Sequence, residues 1–443
     1  MADIKGFRAL RYNTDALDAD AADVVAPPYD VIDEDEQTAL YERHAANVIR
    51  LILNREQSDD SPENNRYTRA RRHLMDWMAR GIVRQDADPG LYLHHQTFQD
   101  AHGTEHTRCG FLGAVRLATY DEEVVLPHER TLRGPKIDRL ELMKACECNM
   151  SPVFFLYDDP ERKVDALLEA HCEQGEEMDI TTEADGIRHK LWPVFEEEAL
   201  DEIAEVLADS QLLIADGHHR YETALAYRDF RREVAEEPRE DAPYDYVMAF
   251  MVNIHDPGLQ VFGTHRVVHG VEDFDLDALI ERLEASEVFE VSGLSEDLVD
   301  DALGLEKRLA EAGQSAPSFI LLSKERPAPI LVEYTGDERA DIFDDETPDQ
   351  VRRLDVSILH EGLIDRMLGI SKSDQEAKTN LRYIKKLEQA VDARNGEDVQ
   401  LVALMNPTPV EQVVEVCQSG GKMPQKSTFF YPKILSGLTI NPL

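Results

Sequence analysis

The stretch Gln211-Leu-Leu-Ile-Ala-Asp-Gly-His-His-Arg-Tyr-Glu-Thr-Ala-Leu-Ala-Tyr227 changes its period in the middle. Leu212 to Ala215 is a short apolar run that reads as a buried strand. The run breaks at Asp216-Gly217, and Tyr221, Ala224 and Leu225 then recur at helical spacing. The result is an elbow carrying Asp216, Gly217, His218, His219 and Arg220. Backbone N–H groups and the positive end of the helix dipole converge at such a helix start, which suits a phosphate or carboxylate. Gly217 lets the backbone come close to a ligand. Arg220 can fork onto an anion, Asp216 can hold a metal or a proton, and the imidazoles titrate near neutrality. The same residues also fit a plain structural role, with Asp216 as an N-cap and His218 and His219 as hydrogen-bonded structural histidines. Five polar residues on one elbow, straight after an apolar strand, favour a site.

Three other stretches offer similar chemistry. In Ala26-Pro-Pro-Tyr-Asp-Val-Ile32 each proline restricts the residue before it, so Tyr29 and Asp30 are expected at a stiff loop rim. Leu126-Pro-His-Glu-Arg-Thr-Leu-Arg-Gly-Pro-Lys136 reads as a Pro/Gly-bounded loop with a local positive surplus. There Arg130, Arg133 and Lys136 can clamp phosphate oxygens while Glu129 serves as base or magnesium ligand; a salt-bridged surface loop is the plain alternative. Gly420-Gly-Lys-Met-Pro-Gln-Lys-Ser-Thr-Phe-Phe-Tyr-Pro-Lys433 holds three of the chain's 14 lysines. Its Lys422, Lys426, Ser427 and Thr428 suit an anion-binding loop. The spacing is not that of a Walker A loop, and no helical pattern follows. His265 and Arg266 follow a predicted strand and either join the site or sit satisfied in the interior.

The elbow Asp216-Gly-His-His-Arg220 resembles the signature of the ParB/sulfiredoxin-like fold, which includes ParB-type nucleotidases, sulfiredoxin and free-serine kinases. The whole chain is similar to the family called domain of unknown function 1015. That resemblance is carried by Ala26–Ile32, by Glu129-Arg-Thr-Leu-Arg-Gly-Pro-Lys136 and by Met423-Pro-Gln-Lys-Ser-Thr-Phe-Phe-Tyr-Pro-Lys433. It implies an α+β fold, with a ParB/sulfiredoxin-like nucleotide-binding core elaborated by a second mixed α/β region.

The predicted elements agree with an α+β chain. Helices are expected over 34–44, 66–80, 138–146, 198–208 and 221–232, and strands over 48–53, 91–98, 106–117, 151–157 and 246–253. An apolar helix capped by Asp355 is expected to run to Gly369. The charged, proline-containing run 236–243 is the candidate boundary between a first region, 1–235, and a second, 244–443, whose C-terminal segment returns to the site. His94, His95, His102 and His106 cluster in sequence. Neighbours in a strand face opposite sides, so His94 and His95 do not readily share a metal, and solvated surface histidines are expected instead.

Charge limits the partners. With 47 basic and 89 acidic residues the net charge is −42. A lysine-poor acidic surface fits a halophile's salty cytoplasm, where salt screens self-repulsion. Nucleic-acid binding needs a basic footprint and is not expected. No apolar run reaches membrane-spanning length and no signal-peptide pattern is present, so a cytoplasmic protein is expected. The five cysteines, Cys109, Cys146, Cys148, Cys172 and Cys417, are irregularly spaced and read as reduced thiols.

Scattered cationic loops in so acidic a chain predict one cleft for a phosphorylated small molecule or nucleotide. The likeness to free-serine kinases implies a phosphotransferase using Mg2+ and ATP or ADP on serine or a similar hydroxylated metabolite. Glu129 or Asp216 would then deprotonate the hydroxyl or hold the metal, and His218 or His219 would orient the transferring group. A metal-dependent phosphatase and a binding-only metabolite regulator are the alternatives.

Overall fold

The apolar run at 246–253 becomes the strand Tyr246–Asn253, buried along its whole length. It lies inside a sheet, with strands on both edges and side chains on both faces, so no position alternates to solvent. In this computed structural model, which describes residues 1–129, 131, 133–171, 178–182, 185–235, 237, 239–336, 342–344 and 346–443, the chain divides into two units. The first comprises Met1–Pro127, Thr131–Gln260 and Pro432–Leu443; the second comprises His128–Arg130 and Val261–Tyr431. Tyr246–Asn253 pairs with Val153–Tyr157 and Glu105–Arg116. The first unit therefore runs past the charged segment 236–243 that the sequence offers as a boundary.

The first unit is built on a mixed nine-stranded sheet. In spatial order its strands are Val125–Leu126, Leu212–Asp216, Val153–Tyr157, Tyr246–Asn253, Glu105–Arg116, Leu91–Gln99, Arg188–Val194 and Met178–Thr181, with Ile4–Lys5 also paired on Glu105–Arg116. One core gathers Leu93, Phe111, Phe155, Ile214 and Met251 from five of these strands. Leu168 of the helix Lys163–Glu169 and Ile203 of the helix Glu197–Leu207 pack on them. A second core joins Val24, Ile49, Leu51, Leu74 and Trp77 to Leu142 of the helix Arg133–Cys146. The expected strand at 48–53 is instead the helix Ile49–Ile52, and the Asn47 side chain just before it accepts the Ile49 N–H.

The hairpin Leu91–Gln99 to Glu105–Arg116 turns at Asp100, whose carboxylate accepts the N–H groups of His102 and Thr104 at 2.9 Å. His106 lies 2.9 Å from the same carboxylate and is the main cause of its pKa falling to about 2. His102 is exposed, but His94 is buried and stacks on His189, with 3.1 Å between Nε2 and Nδ1. Side chains cover both sheet faces, so the expectation of a solvated His94 fails. Burial holds His94 well below the usual imidazole range and His189 at about 3. Both take up protons at an ordinary pKa once unfolded, so the unfolded state binds more protons below about pH 6.5. We expect the thermal midpoint to fall steadily as pH is lowered from 7 to 5. Buried Asp256, pushed up to about 6 by burial, opposes part of that fall. A scanning-calorimetry series over this range checks the sign.

The second unit carries an antiparallel six-stranded sheet ordered Phe289–Gly293, Arg326–Tyr334, Ser318–Ser323, Val399–Met405, His265–His269 and Leu381–Ile384. Leu305 and Leu309 of the helix Ala302–Gly313 pack with Ile320, Leu331 and Val402 on one face. The apolar helix expected from Asp355 to Gly369 forms, but only Asp355–Ile358 is α-helical, and Leu359–Met367 widens into π-helical turns. Both units mix helices and strands, so the chain is α+β. Among the described residues no helix is long and apolar enough to cross a membrane.

Candidate functional site

The first-unit elbow has the predicted form. Leu212–Asp216 is a strand buried from Leu212 to Ala215, and the helix His218–Val234 starts two residues later. Gly217 between them has φ +96°, a region that favours glycine, and a Cβ there would meet the Arg220 guanidinium at 2.9 Å. Tyr221 fixes the helix to the sheet: its hydroxyl donates to Ala118 O at 2.7 Å and accepts the Ala118 N–H at 3.1 Å. His218 is buried and His219 half-buried in the first turn.

Asp216 sits between two cations. Arg220 Nη2 donates to one oxygen at 2.6 Å and Lys433 Nζ to the other at 3.0 Å. Arg220 also donates to Pro152 O. Both cationic side chains are largely buried, at 10% and 17% exposure. A magnesium ion taking Asp216 as ligand would share the carboxylate with these two cations. Sequence reading named Lys422 and Lys426 but not Lys433, although all three fall in one lysine-rich stretch.

A buried polar network holds Lys433 in place. Gln96 Nε2 donates to Lys433 O at 3.1 Å, and Arg108 donates to both Gln96 Oε1 and Pro432 O. Arg108 is fully buried against the rings of Phe154 and Phe250, at 4.9 and 5.5 Å from their centroids. Burial pulls its pKa down to about 9, so it remains a cation at neutral pH.

Lys136 reaches the same helix one turn further on. Its Nζ donates to Glu222 at 2.7 Å and to Thr131 Oγ1 at 3.0 Å, and Thr131 donates to Glu222 at 2.7 Å. Glu222 was not among the sequence candidates, because an acid on a helix carries no local mark of its partner. Exchanging Glu222 for Gln removes the charge from these two bonds and is expected to lower stability by about 1–2 kcal/mol. A urea titration that leaves the midpoint unmoved would show that Lys136 is not anchored there. The segment around Lys136 is not wholly a loop, since the helix begins at Arg133. Arg130 and the Arg133 side chain lie outside the described residues.

Tyr29 opens the 3-10 turn Tyr29–Val31, with the Arg139 guanidinium 4.1 Å from its ring centroid. Burial raises its pKa, against the pull of Arg139 and Arg220. Tyr29, Arg139, Ser151, Arg220 and Thr223 line a cavity of about 50 Å³, room for a water or two. Asp30 is exposed.

The remaining candidates belong to the second unit. His128 pairs with Thr428 at 3.1 Å, and His128 O accepts the Met423 N–H at 2.8 Å. Lys426 has φ +57°, and its carbonyl accepts from Arg266 at 3.2 Å. Ser427 is buried and donates to Pro424 O. Lys422 lines a cavity of about 420 Å³, and Glu129 is half-buried. Arg266 is fully buried, donating to His360 Nε2 at 3.1 Å, while His265 Nδ1 accepts the Met405 N–H at 3.3 Å. Burial, then Arg266, lowers the His265 pKa to about 4, so it is neutral at physiological pH. The structure thus gathers Tyr29, Lys136, Asp216, Gly217, His218, His219 and Arg220 in the first unit. Glu129, His265, Arg266, Lys422, Lys426, Ser427 and Thr428 belong to the second unit.

No curated protein matches the chain. Among solved structures it is similar to a conserved hypothetical protein from Pyrococcus furiosus, with 15% identity and a TM-score of 0.33 over 70% of this chain and 89% of that one. It is also similar to a free serine kinase in complex with AMP, at 14% identity and a TM-score of 0.31 over 71% and 89% of the two chains. SbnI with C-terminal truncation from Staphylococcus aureus gives 10% and 0.34 over 74% and 87%. A family model described as protein of unknown function (DUF1015) matches residues 4–357. That match takes in most of the sequence, from the first strand to the helix that opens at Asp355, and the chain belongs to this family.

Proposed function

We propose that the protein is a small-molecule phosphotransferase, a nucleotide-dependent kinase for serine or a similar hydroxylated metabolite, on a ParB/sulfiredoxin-like core in the first unit. The observation that carries this reading is Asp216 held by Arg220 and Lys433 beside a glycine-led helix start. Phosphate oxygens present the two cations with the same kind of charge as the carboxylate, so an arriving phosphoryl group can exchange for Asp216. The first-turn N–H groups of the helix add fixed positive potential at the same place. Once released, Asp216 accepts the proton of the acceptor hydroxyl, while Arg220 and Lys433 neutralise charge on the transferring group. His218 and His219 lie in the turn that orients it. ATP or ADP would donate the phosphoryl group and leave as ADP or AMP, and Mg2+, if bound, would neutralise phosphate charge there.

The test is turnover of ATP or ADP with serine and related hydroxylated metabolites, following the phosphorylated product. Acceptor-dependent product formation supports the kinase reading. Phosphate release from phosphoserine without nucleotide would replace it with a metal-dependent phosphatase. Binding with no turnover under any divalent ion would leave a metabolite-sensing regulator.

A further inference from the structure

His95 and Cys109 stand directly opposite each other in the hairpin of the first sheet, so their side chains leave the same face a few ångströms apart. The helix Lys163–Glu169 packs on that face through Val164 and Leu168, and Glu169 lies in its last turn. The ligand atoms of His95, Cys109 and Glu169 all fall within 4.8 Å of one another. We infer that these three residues form a binding site for a divalent cation of borderline softness, zinc by its donor set.

A nitrogen, a sulfur and a carboxylate oxygen are the donors zinc takes, and three protein ligands leave a fourth position for water. Tetrahedral ligands at bonds of about 2.0–2.3 Å stand roughly 3.3–3.8 Å apart, so the site closes by a small movement. Glu169 is exposed and free to make it, while the strand ladder fixes His95 and Cys109. The electrostatics favour a cation. The carboxylates of Asp256, Asp165 and Glu169 lie near Cys109, whose N–H donates to Asp256 Oδ2 at 3.4 Å. A divalent ion among these groups displaces the thiol proton and turns their repulsion into attraction. Two cations stand nearby, and Arg162 offsets part of that negative charge. Arg162 is committed to Asp165 at 2.7 Å and Asp256 at 3.7 Å, and Lys190, opposite His95 on the next strand, has its Nζ 5.6 Å from the Trp192 ring. The site does not involve the elbow and stands or falls apart from the phosphotransfer reading.

Trp192 packs edge-on against His95, with 4.9 Å between ring centroids, and supplies a reporter. Cobalt(II) titrated into the reduced full-length protein should quench Trp192 fluorescence. A near-ultraviolet thiolate-to-cobalt charge-transfer band should saturate at one equivalent, and zinc should abolish it. Cys109→Ser should lose the band. Glu169→Gln should keep it but weaken cobalt affinity by at least the ~10-fold typical of losing an outer-shell partner. Absence of the band in the unmodified protein, or its survival in Cys109→Ser, overturns the assignment. Should Cys109→Ser fail to fold, unchanged affinity in Glu169→Gln, altered at an exposed position, overturns it as well.

Discussion

The Asp216→Ala variant is expected to lose phosphotransfer by about 10²–10⁴-fold, the range for removing a positioned acid–base group, and to lose roughly 2–4 kcal/mol of stability. The stability figure lies between two limits. Exposed ion pairs contribute about 0–1 kcal/mol, whereas removing one partner of a fully buried pair costs about 3–5 kcal/mol. Arg220 and Lys433, at 10% and 17% exposure, lie nearer the buried limit, and the substitution leaves two cations facing each other across an empty position. Asp216→Asn keeps the shape and should lose less stability while losing turnover to the same degree. Equilibrium urea unfolding of the two variants, read beside their product-formation rates, separates the structural role of the carboxylate from its chemical one.

Arg108→Ala is expected to be about as damaging to stability, at roughly 3–5 kcal/mol, with no contact to the reacting groups required. It removes a fully buried side chain from between Phe154 and Phe250 and strips donors from Gln96 Oε1 and Pro432 O. Arg108→Met refills most of the volume without restoring the donors, so it should recover over half of that stability. Turnover in Arg108→Met should stay depressed, because Pro432 O then loses the Arg108 bond that helps fix the backbone presenting Lys433 to Asp216. Full recovery of both properties in Arg108→Met would make Arg108 a packing residue only.

The elbow was legible because everything that makes it is local: an apolar run, a glycine at the bend and a helical period beyond it. The residues that tie it together were not. Lys433 lies 217 positions from Asp216, and the Arg108 contact to Pro432 spans 324, separations that leave no local mark in the sequence. Glu222 sits within the elbow helix, but its partners Thr131 and Lys136 are 91 and 86 residues away. Errors in the fold reading also have physical causes. Ile49–Ile52 is a short run with Ile49, Leu51 and Ile52 buried, and so short a run has no period by which to tell strand from helix. Gly134-Pro135 reads as loop punctuation, yet proline is tolerated in a first helical turn, where its missing N–H has no partner to lose. His94 looks like a surface residue until strand and helix cover both sides of its sheet.

The central claim is that Arg220 and Lys433 exchange Asp216 for phosphate. It is tested most directly by calorimetric titration of Mg-ATP and of phosphoserine into wild-type protein, Asp216→Asn and Lys433→Ala at fixed salt. Removing the competing carboxylate should leave Asp216→Asn binding the anion at least as tightly as wild type although it turns nothing over. Lys433→Ala should bind more weakly than either. Weaker anion binding in Asp216→Asn together with unchanged binding in Lys433→Ala would contradict the exchange.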